Sequence, residues 1–214
     1  MFDDRQDAGR QLAQKLDVYK GKGVLVLAIP RGGVAVGYEV AKELDADFSI
    51  LVTRKLPFPT NPEAGFGAVA EDGSRYINEE ASAWLSGRQI ESIVERQRQE
   101  VRRRIAVLRQ GDPLPDMEGR TVILVDDGIA MGSTMRASIE CCKNQGAEKI
   151  VVGVPVSGGR AVGEIEKLVD EVVVVEQPER FRAVAQVYRN WYDVPDREVL
   201  DTLERWRERV SEEE

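Results

Sequence analysis

Val122-Ile123-Leu124-Val125-Asp126-Asp127-Gly128-Ile129-Ala130-Met131-Gly132-Ser133-Thr134 is the stretch that says most about this chain. Four apolar residues in a row read as a strand buried on both faces. The strand delivers two carboxylates at its carboxyl end, and a loop of small residues then opens into a helix over 132–144. At such a helix start, the backbone N–H groups of 130–134 point at a common centre and the helix dipole favours an anion, so the loop suits a phosphate. Gly132 permits close approach, and the Ser133 and Thr134 hydroxyls can donate. Asp126 and Asp127 repel that phosphate; they suit neighbouring hydroxyl donors or a hydrated Mg2+. A ligand with a phosphate at one end and a vicinal diol about one sugar away satisfies both halves, which describes a ribose 5-phosphate unit. The plainer reading, two acids serving as turn residues and helix cap, has to explain why adjacent carboxylates are kept at a buried strand end, where charge is costly.

The surrounding rhythm is α/β. Apolar runs at 24–29, 48–53, 121–125, 150–156 and 171–175 read as strands, separated by amphipathic stretches over 4–20, 34–44, 132–144, 160–168 and 196–210. Five such strands alternating with helices predict a mostly parallel five-stranded sheet covered on both faces. Residues 56–118 break the rhythm. Pro57, Pro59, Pro62 and Gly65 crowd 56–65, which reads as irregular. A hairpin turning at Asp72-Gly73 follows, then one long helix over 79–110. The expected organisation is a core of 1–55 and 119–214 with an inserted loop, hairpin and long-helix subdomain at 56–118. The acidic tail 212–214 is expected to fray. Ligands on parallel sheets bind beyond the carboxyl ends of the strands, which directs attention to 30–33, 54–56, 126–134 and 156–160.

Composition narrows the chemistry. The chain has 214 residues, 42% hydrophobic and 32% charged, with a net charge of −8. This fits a globular protein with a real core. It disfavours general nucleic-acid binding through phosphate neutralisation. There is no histidine, so Ser-His-Asp and Cys-His nucleophile systems are excluded. Cys141 and Cys142 are adjacent and read as reduced thiols packed on a helix. No leader or membrane-crossing run is apparent, and the expected location is cytoplasmic. No G-x-x-x-x-G-K-[ST] occurs and no strand is followed by G-x-G-x-x-G, which disfavours Walker-type and Rossmann sites.

Two further loops belong to the same sheet edge. Arg31-Gly32-Gly33 follows the first strand, offering an unusual backbone, close approach to a ligand and a fixed positive charge; an ordinary strand-to-helix turn is the alternative. Thr53-Arg54-Lys55 ends the second strand with two adjacent cations, which a merely solvated strand end also explains.

The segment 122–134 resembles the phosphoribosyl-diphosphate (PRPP) binding motif of type I phosphoribosyltransferases: four apolar residues, two acids, and a small-residue phosphate loop ending in Gly-x-Thr. Met131 stands where many members carry Thr, and Ala130 where purine-salvage members carry a catalytic Asp, which argues against a purine salvage role. The whole chain is similar to a bacterial group of predicted phosphoribosyltransferases of unknown acceptor. The shared features are Asp7-Ala8-Gly9-Arg10, Pro30-Arg31-Gly32-Gly33-Val34, Val52-Thr53-Arg54-Lys55, Asn61-Pro62-Glu63 and Asp126-Asp127-Gly128-Ile129-Ala130.

The resemblance implies transfer of 5-phosphoribosyl from PRPP to a nitrogenous acceptor, such as a nucleobase, with release of pyrophosphate and with Mg2+ carried mainly by the ligand near Asp126 and Asp127. It implies a 5′-phosphate loop at Ala130, Met131, Gly132, Ser133 and Thr134. Arg31, Gly32 and Gly33 become the pyrophosphate loop, often held by a strained or cis peptide. Asp126, Asp127, Arg54 and Lys55 become the catalytic set, the two cations holding the leaving group. It also implies a mobile loop at 56–66, a place in nucleotide metabolism and, commonly, a homodimer. A non-catalytic PRPP- or nucleotide-binding regulator on the same fold fits the same residues; release of pyrophosphate separates the two. Arg96, Arg98, Arg102, Arg103, Arg104 and Arg109 read as a solvated helix face balanced by Glu91, Glu95 and Glu100. Phe181, Tyr188, Trp191 and Tyr192 read as core, unless one ring stacks on the base.

Overall fold

A computed structural model describes residues 1–213. In chain order the elements are α1 (Arg5–Lys15), β1 (Leu25–Ala28), α2 (Gly33–Leu44), β2 (Asp47–Ile50), β3 (Thr53–Phe58), β4 (Asn61–Ala70), β5 (Arg75–Ile77), α3 (Glu79–Ser82), α4 (Gly87–Leu108), β6 (Thr121–Val125), α5 (Ser133–Asn144), β7 (Lys149–Val156), α6 (Gly159–Ile165), β8 (Glu171–Glu176) and α7 (Asp196–Glu213). Of the tail expected to fray, α7 continues through Glu213, and Glu214 lies outside the described residues.

Five strands form one sheet in the order β2-β1-β6-β7-β8, every neighbouring pair parallel. The continuous apolar runs behave as their composition requires. Along β1, β6 and β7, Val26, Ala28, Ile123, Val125 and Val151 join a core with α1, α2 and α7. Their alternates Leu25, Leu27, Val122, Leu124 and Val152 join a second core with α5 and α6. Each fully buried aliphatic side chain contributes about 1.5–3 kcal/mol, so a strand apolar on both faces is held where it can be covered twice. The chain leaves β1 towards β2 on one side and returns to β6 on the other. That reversal puts a crevice between the loops that follow β1 and β6, where sheets of this kind bind ligands.

The inserted region is more regular than its prolines predict. β3, β4 and β5 form a second, antiparallel sheet, with a bulged register at Leu56–Phe58. The prolines sit in a hairpin whose irregular register spares them from donating to the ladder. The expected strand over 48–53 is also divided. β2 ends at Ile50, and Thr53 pairs with Ala70 in the second sheet. A buried ion pair accounts for this break. The Arg109 Nη2 donates to Glu71 Oε1 at 2.6 Å, and its Nη1 to the Ile50 carbonyl at 3.0 Å, while Glu71 Oε2 accepts from Val52 N at 2.8 Å. Side chains thus satisfy the backbone between the two sheets, and the chain turns out of the first. Arg109 is therefore 5% exposed and does not belong to the solvated arginine face.

The helix expected over 79–110 is two helices. A capping box restarts it: Ser86 Oγ accepts from Gln89 N, and Gln89 Oε1 accepts from Ser86 N at 2.9 Å. Three of the other arginines of α4 pair as expected, Arg102 with Glu95 and both Arg103 and Arg104 with Glu100, while Glu91 meets Arg75 of β5. Cys141 and Cys142 are free and fully buried on α5, and burial pushes the Cys142 thiol up to about 12.

Burial raises the Glu71 carboxyl above its ordinary value, and Arg109 opposes that rise. Arg109→Met, which strands this carboxylate, is expected to cost about 3 kcal/mol, or roughly 6–12 °C in Tm. Calorimetry at about pH 8 and pH 5 checks this: the loss shrinks at the lower pH, where the orphaned carboxyl takes up a proton.

Candidate active site

β6 ends at Val125, and the two acids that follow take different surroundings. Asp126 Oδ1 accepts from Asp127 N at 2.8 Å, and Asp126 lines a cleft of about 560 Å3. Asp127 turns towards α1. Its Oδ2 accepts from Arg5 Nε at 2.9 Å, and its carbonyl accepts from Tyr188 Oη at 2.7 Å. The Arg5 guanidinium is itself nearly buried, 5% exposed. Its Nη1 donates to the Tyr192 carbonyl at 3.1 Å, and its Cζ lies 4.1 Å from the centroid of the Trp191 ring. The aromatic segment therefore has a specific job: Tyr188, Trp191 and Tyr192 surround one arginine. None of these three rings nor Phe181 lines the cleft; the segment reaches it through Val184.

Burial, followed by the neighbouring charge of Asp127, raises Asp126 well above the usual carboxylate range. Burial also raises Asp127, with Arg5 pulling it back down. Burial and the Asp127 charge push Tyr188 up as well, keeping it a neutral donor.

The loop after Asp127 runs along the cleft, and Ala130, Met131, Gly132, Ser133 and Thr134 all line it. Gly132 caps α5 at φ +77°, a conformation that L side chains rarely adopt. It sets the free N–H groups of the first turn of α5 at the cleft. The Met131 side chain is 78% exposed.

The loop after β1 packs against the acids from behind. A Cβ added at Gly32 would stand 1.9 Å from Asp127 Oδ2, and one at Gly33 would stand 2.9 Å from the Asp126 Cα. These glycines are what let the two loops meet. The peptide between Pro30 and Arg31 is cis. Arg31 extends to α7, its Nη1 lying 3.5 Å from Asp196 Oδ1. Gly32 and Gly33 thus border the acid pair and Arg31 reaches towards α7, none of the three lining the cleft itself.

The two cations expected to act together are separated. Arg54 and Lys55 lie on β3, not at the end of β2, and successive side chains of a strand leave opposite faces. Lys55 lines the cleft, where its Nζ donates to the Glu63 carbonyl. Arg54 faces α4, where its Nε donates to Gln97 Oε1 at 3.4 Å. Of the two, only Lys55 lines the cleft.

The stretch expected as a mobile loop forms the tip of the β3–β4 hairpin and lends Phe58, Glu63, Ala64 and Gly65 to the cleft wall. The hairpin is tied to α5 by a buried contact of 2.8 Å between Thr53 Oγ1 and Ser138 Oγ. Arg5, not singled out by sequence, is the functional residue missed. Its signal was present only as an arginine on the buried stripe of α1, beside Ala8 and Leu12.

A family description, phosphoribosyl transferase domain, matches residues 3–190. The chain belongs to this family. Two Mycobacterium tuberculosis proteins, from strains CDC 1551 and H37Rv, carry provisional phosphoribosyl transferase names; each is 42% identical over 207 residues, covering 96% of this chain and 47% of its own length. The chain thus spans about half the length of the curated relatives it matches. The crystal structure of the protein TT1426 from Thermus thermophilus superposes with a TM-score of 0.80 at 36% identity, covering 96% of this chain and 98% of that one. This phosphoribosyl transferase domain carries its five-stranded parallel sheet and its acid pair in one continuous frame.

Burial holds a proton on Asp126 to higher pH in the folded chain than in the unfolded one. The folded state is therefore favoured at low pH and loses that advantage as pH rises through the elevated titration. Asp126→Asn is expected to raise Tm by a few degrees at about pH 7.5, with the gain vanishing near about pH 4. Asp127→Asn is expected to gain less than Asp126→Asn at the same pH, because Arg5 offsets part of the cost of its charge. Thermal melts of both variants across pH check the contrast.

Proposed function

We propose that this domain transfers a 5-phosphoribosyl group from PRPP to a nitrogenous acceptor, of which a nucleobase is one class, releasing pyrophosphate. The observation that carries the reading is the convergence, on one cleft, of the free N–H groups at the start of α5 with the carboxylate of Asp126. Residues 130–134 anchor the 5′-phosphate, so binding energy far from the reacting carbon orients it. Asp126 meets the ribose hydroxyls from the end of β6. Asp127, fixed by Arg5, holds the loop in register and keeps a second negative charge beside the ring as positive charge develops on it. Arg31, Gly32 and Gly33 form the side of the crevice that receives the pyrophosphate, and Lys55 stabilises its charge from β3. In this reading 1–55 and 119–214 supply the ligand-binding frame, and 56–118 supplies its cover.

Mg2+ suits this donor set. Among the described residues no cluster of three or more acidic, Cys or His side chains is built to hold a metal alone. Asp126, the one acid of the pair that lines the cleft, matches the way Mg2+ binds through one or two protein oxygens and the phosphates of a ligand. Bound there, it supplies positive charge to the diphosphate. Among the described residues no helix is long and apolar enough to cross a membrane; a cytoplasmic setting is part of the proposal.

The test is incubation with PRPP, Mg2+ and a panel of nitrogenous bases, with pyrophosphate measured. Release that depends on one base is the expected result. Binding of PRPP without release by any base replaces the enzyme with a PRPP-binding regulator.

Two variants locate the chemistry. Asp126→Asn with Asp127→Asn is expected to weaken Mg-PRPP binding at least a hundredfold by calorimetry; unchanged affinity removes the ribose assignment. Gly132→Val is expected to block ribose 5-phosphate, and a normal titration curve contradicts the phosphate loop.

A further inference from the structure

The proposed chemistry leaves part of the cleft without a task. Residues 130–134, Asp126 and Lys55 are taken by phosphate, ribose and diphosphate. Of the remaining lining, Phe58, Ala64, Ala81, Ile129, Met135 and Val184 offer apolar side chains, and Gly65 and Gly128 offer none. Val184 stands close to the acid pair because residue 128 is glycine: a Cβ there would lie 2.7 Å from Val184 Cγ1. An apolar surface thus begins one residue beyond Asp127.

Phe58 is the only ring in the cleft wall among the described residues, and it is held from other sides. Trp84, between α3 and α4, stacks on it with centroids 5.7 Å apart and planes 20° from parallel. The fully buried Phe66 meets it at 5.5 Å. A side chain already packed in this way loses little freedom when a ligand lies against it, and a flat ring gains most from such a wall.

Glu63 is the one ionisable side chain left over among the described residues that line the cleft. Its hydrogen bonds are made by its backbone: the carbonyl accepts from Lys55 Nζ, and the N–H donates to Asn61 Oδ1 at 3.2 Å. Among the described residues no hydrogen bond or ion pair engages its carboxylate. Such a lining selects by what it fails to pair. Carbonyl and amide groups around a ring would lose water and find no polar side chain beyond Glu63. A carboxylate on the ring would meet a like charge there, whereas an N–H would meet an acceptor.

We propose that this part of the cleft takes a flat aromatic heterocycle with an N–H, no carboxylate and few carbonyl or amide groups, packed on Phe58 and donating to Glu63. The inference rests on the transferase reading for one point, that this ring is the acceptor. In transfer, the lone pair of a ring nitrogen forms the bond to C1 of the ribose, and the C1–O electron pair leaves with pyrophosphate. The N–H proton passes to the Glu63 carboxylate. Benzazoles have this chemistry; pyrimidines rich in carbonyl groups do not.

Calorimetric titration of the full chain, with ribose 5-phosphate and Mg2+ present, compares benzimidazole with uracil and with nicotinate. Benzimidazole is expected to bind about tenfold more tightly than either. Phe58→Ala is expected to weaken it about tenfold. Phe58→Leu, which keeps an apolar group and removes the ring, is expected to weaken it by a smaller factor with less risk to folding. Glu63→Gln, at an exposed position, is expected to narrow the preference over nicotinate. Pyrophosphate release from PRPP with each ring then separates the two claims. Release with benzimidazole supports both. The same binding preference with no release by any ring supports the pocket and fails the transferase. Tighter binding or faster release with uracil or nicotinate, no binding of benzimidazole, wild-type affinity in both Phe58 variants, or an unchanged preference in Glu63→Gln overturns the inference. Each of those leaves the transferase to be judged by its own assay.

Discussion

The contact between Arg5 and Asp127 holds the candidate site together. It joins the first helix to the end of a central strand, and it is the counter-charge that makes two adjacent carboxylates tolerable at that depth. Three aromatic rings and a carbonyl then enclose the arginine. The amino-terminal helix and the carboxyl-terminal aromatic segment, 187 positions apart in the case of Arg5 and Tyr192, are committed to one another through this group. With one acid spoken for, the other is left facing the cleft, so two chemically identical side chains take different surroundings.

Much of this was legible in the sequence because the relevant physics is local or periodic. A run such as Val122–Val125 has no face to expose, so it reads as a twice-covered strand. The small-residue loop opens a helix where it was expected to, and the structure lays that loop along the cleft. The crevice location follows from strand order, which five apolar runs and one interruption nearly determine.

What escaped was decided by contacts between distant residues. Nothing near Ile50 and Val52 says that the strand stops there. Glu71 says so from 19 positions beyond Val52, and Arg109 from 59 beyond Ile50. The prolines of 56–65 suggested irregularity, yet a partner strand with a shifted register accommodates them. Arg54 and Lys55 look like one cationic unit when read as the end of the 48–53 strand, whereas they lie within β3 of the second sheet. The aromatic segment looked like packing or a base platform, since no sequence pattern reveals that its rings converge on Arg5.

The hydroxyl pair of Thr53 and Ser138 has a mechanical consequence. It clamps the hairpin at its root, against the helix whose first turn faces the cleft, while the far end carrying Phe58 and Glu63 projects along the opening. Such an arm is a cantilever. With about 3.3 Å of rise per residue, six residues of β3 give a lever of roughly 20 Å. A tilt of about 10° at the clamp would sweep the tip through roughly 3 Å and would leave the backbone of residues 130–134 beside the pivot nearly in place. Large travel at the rim and stillness at the anchor thus come from the same fastening.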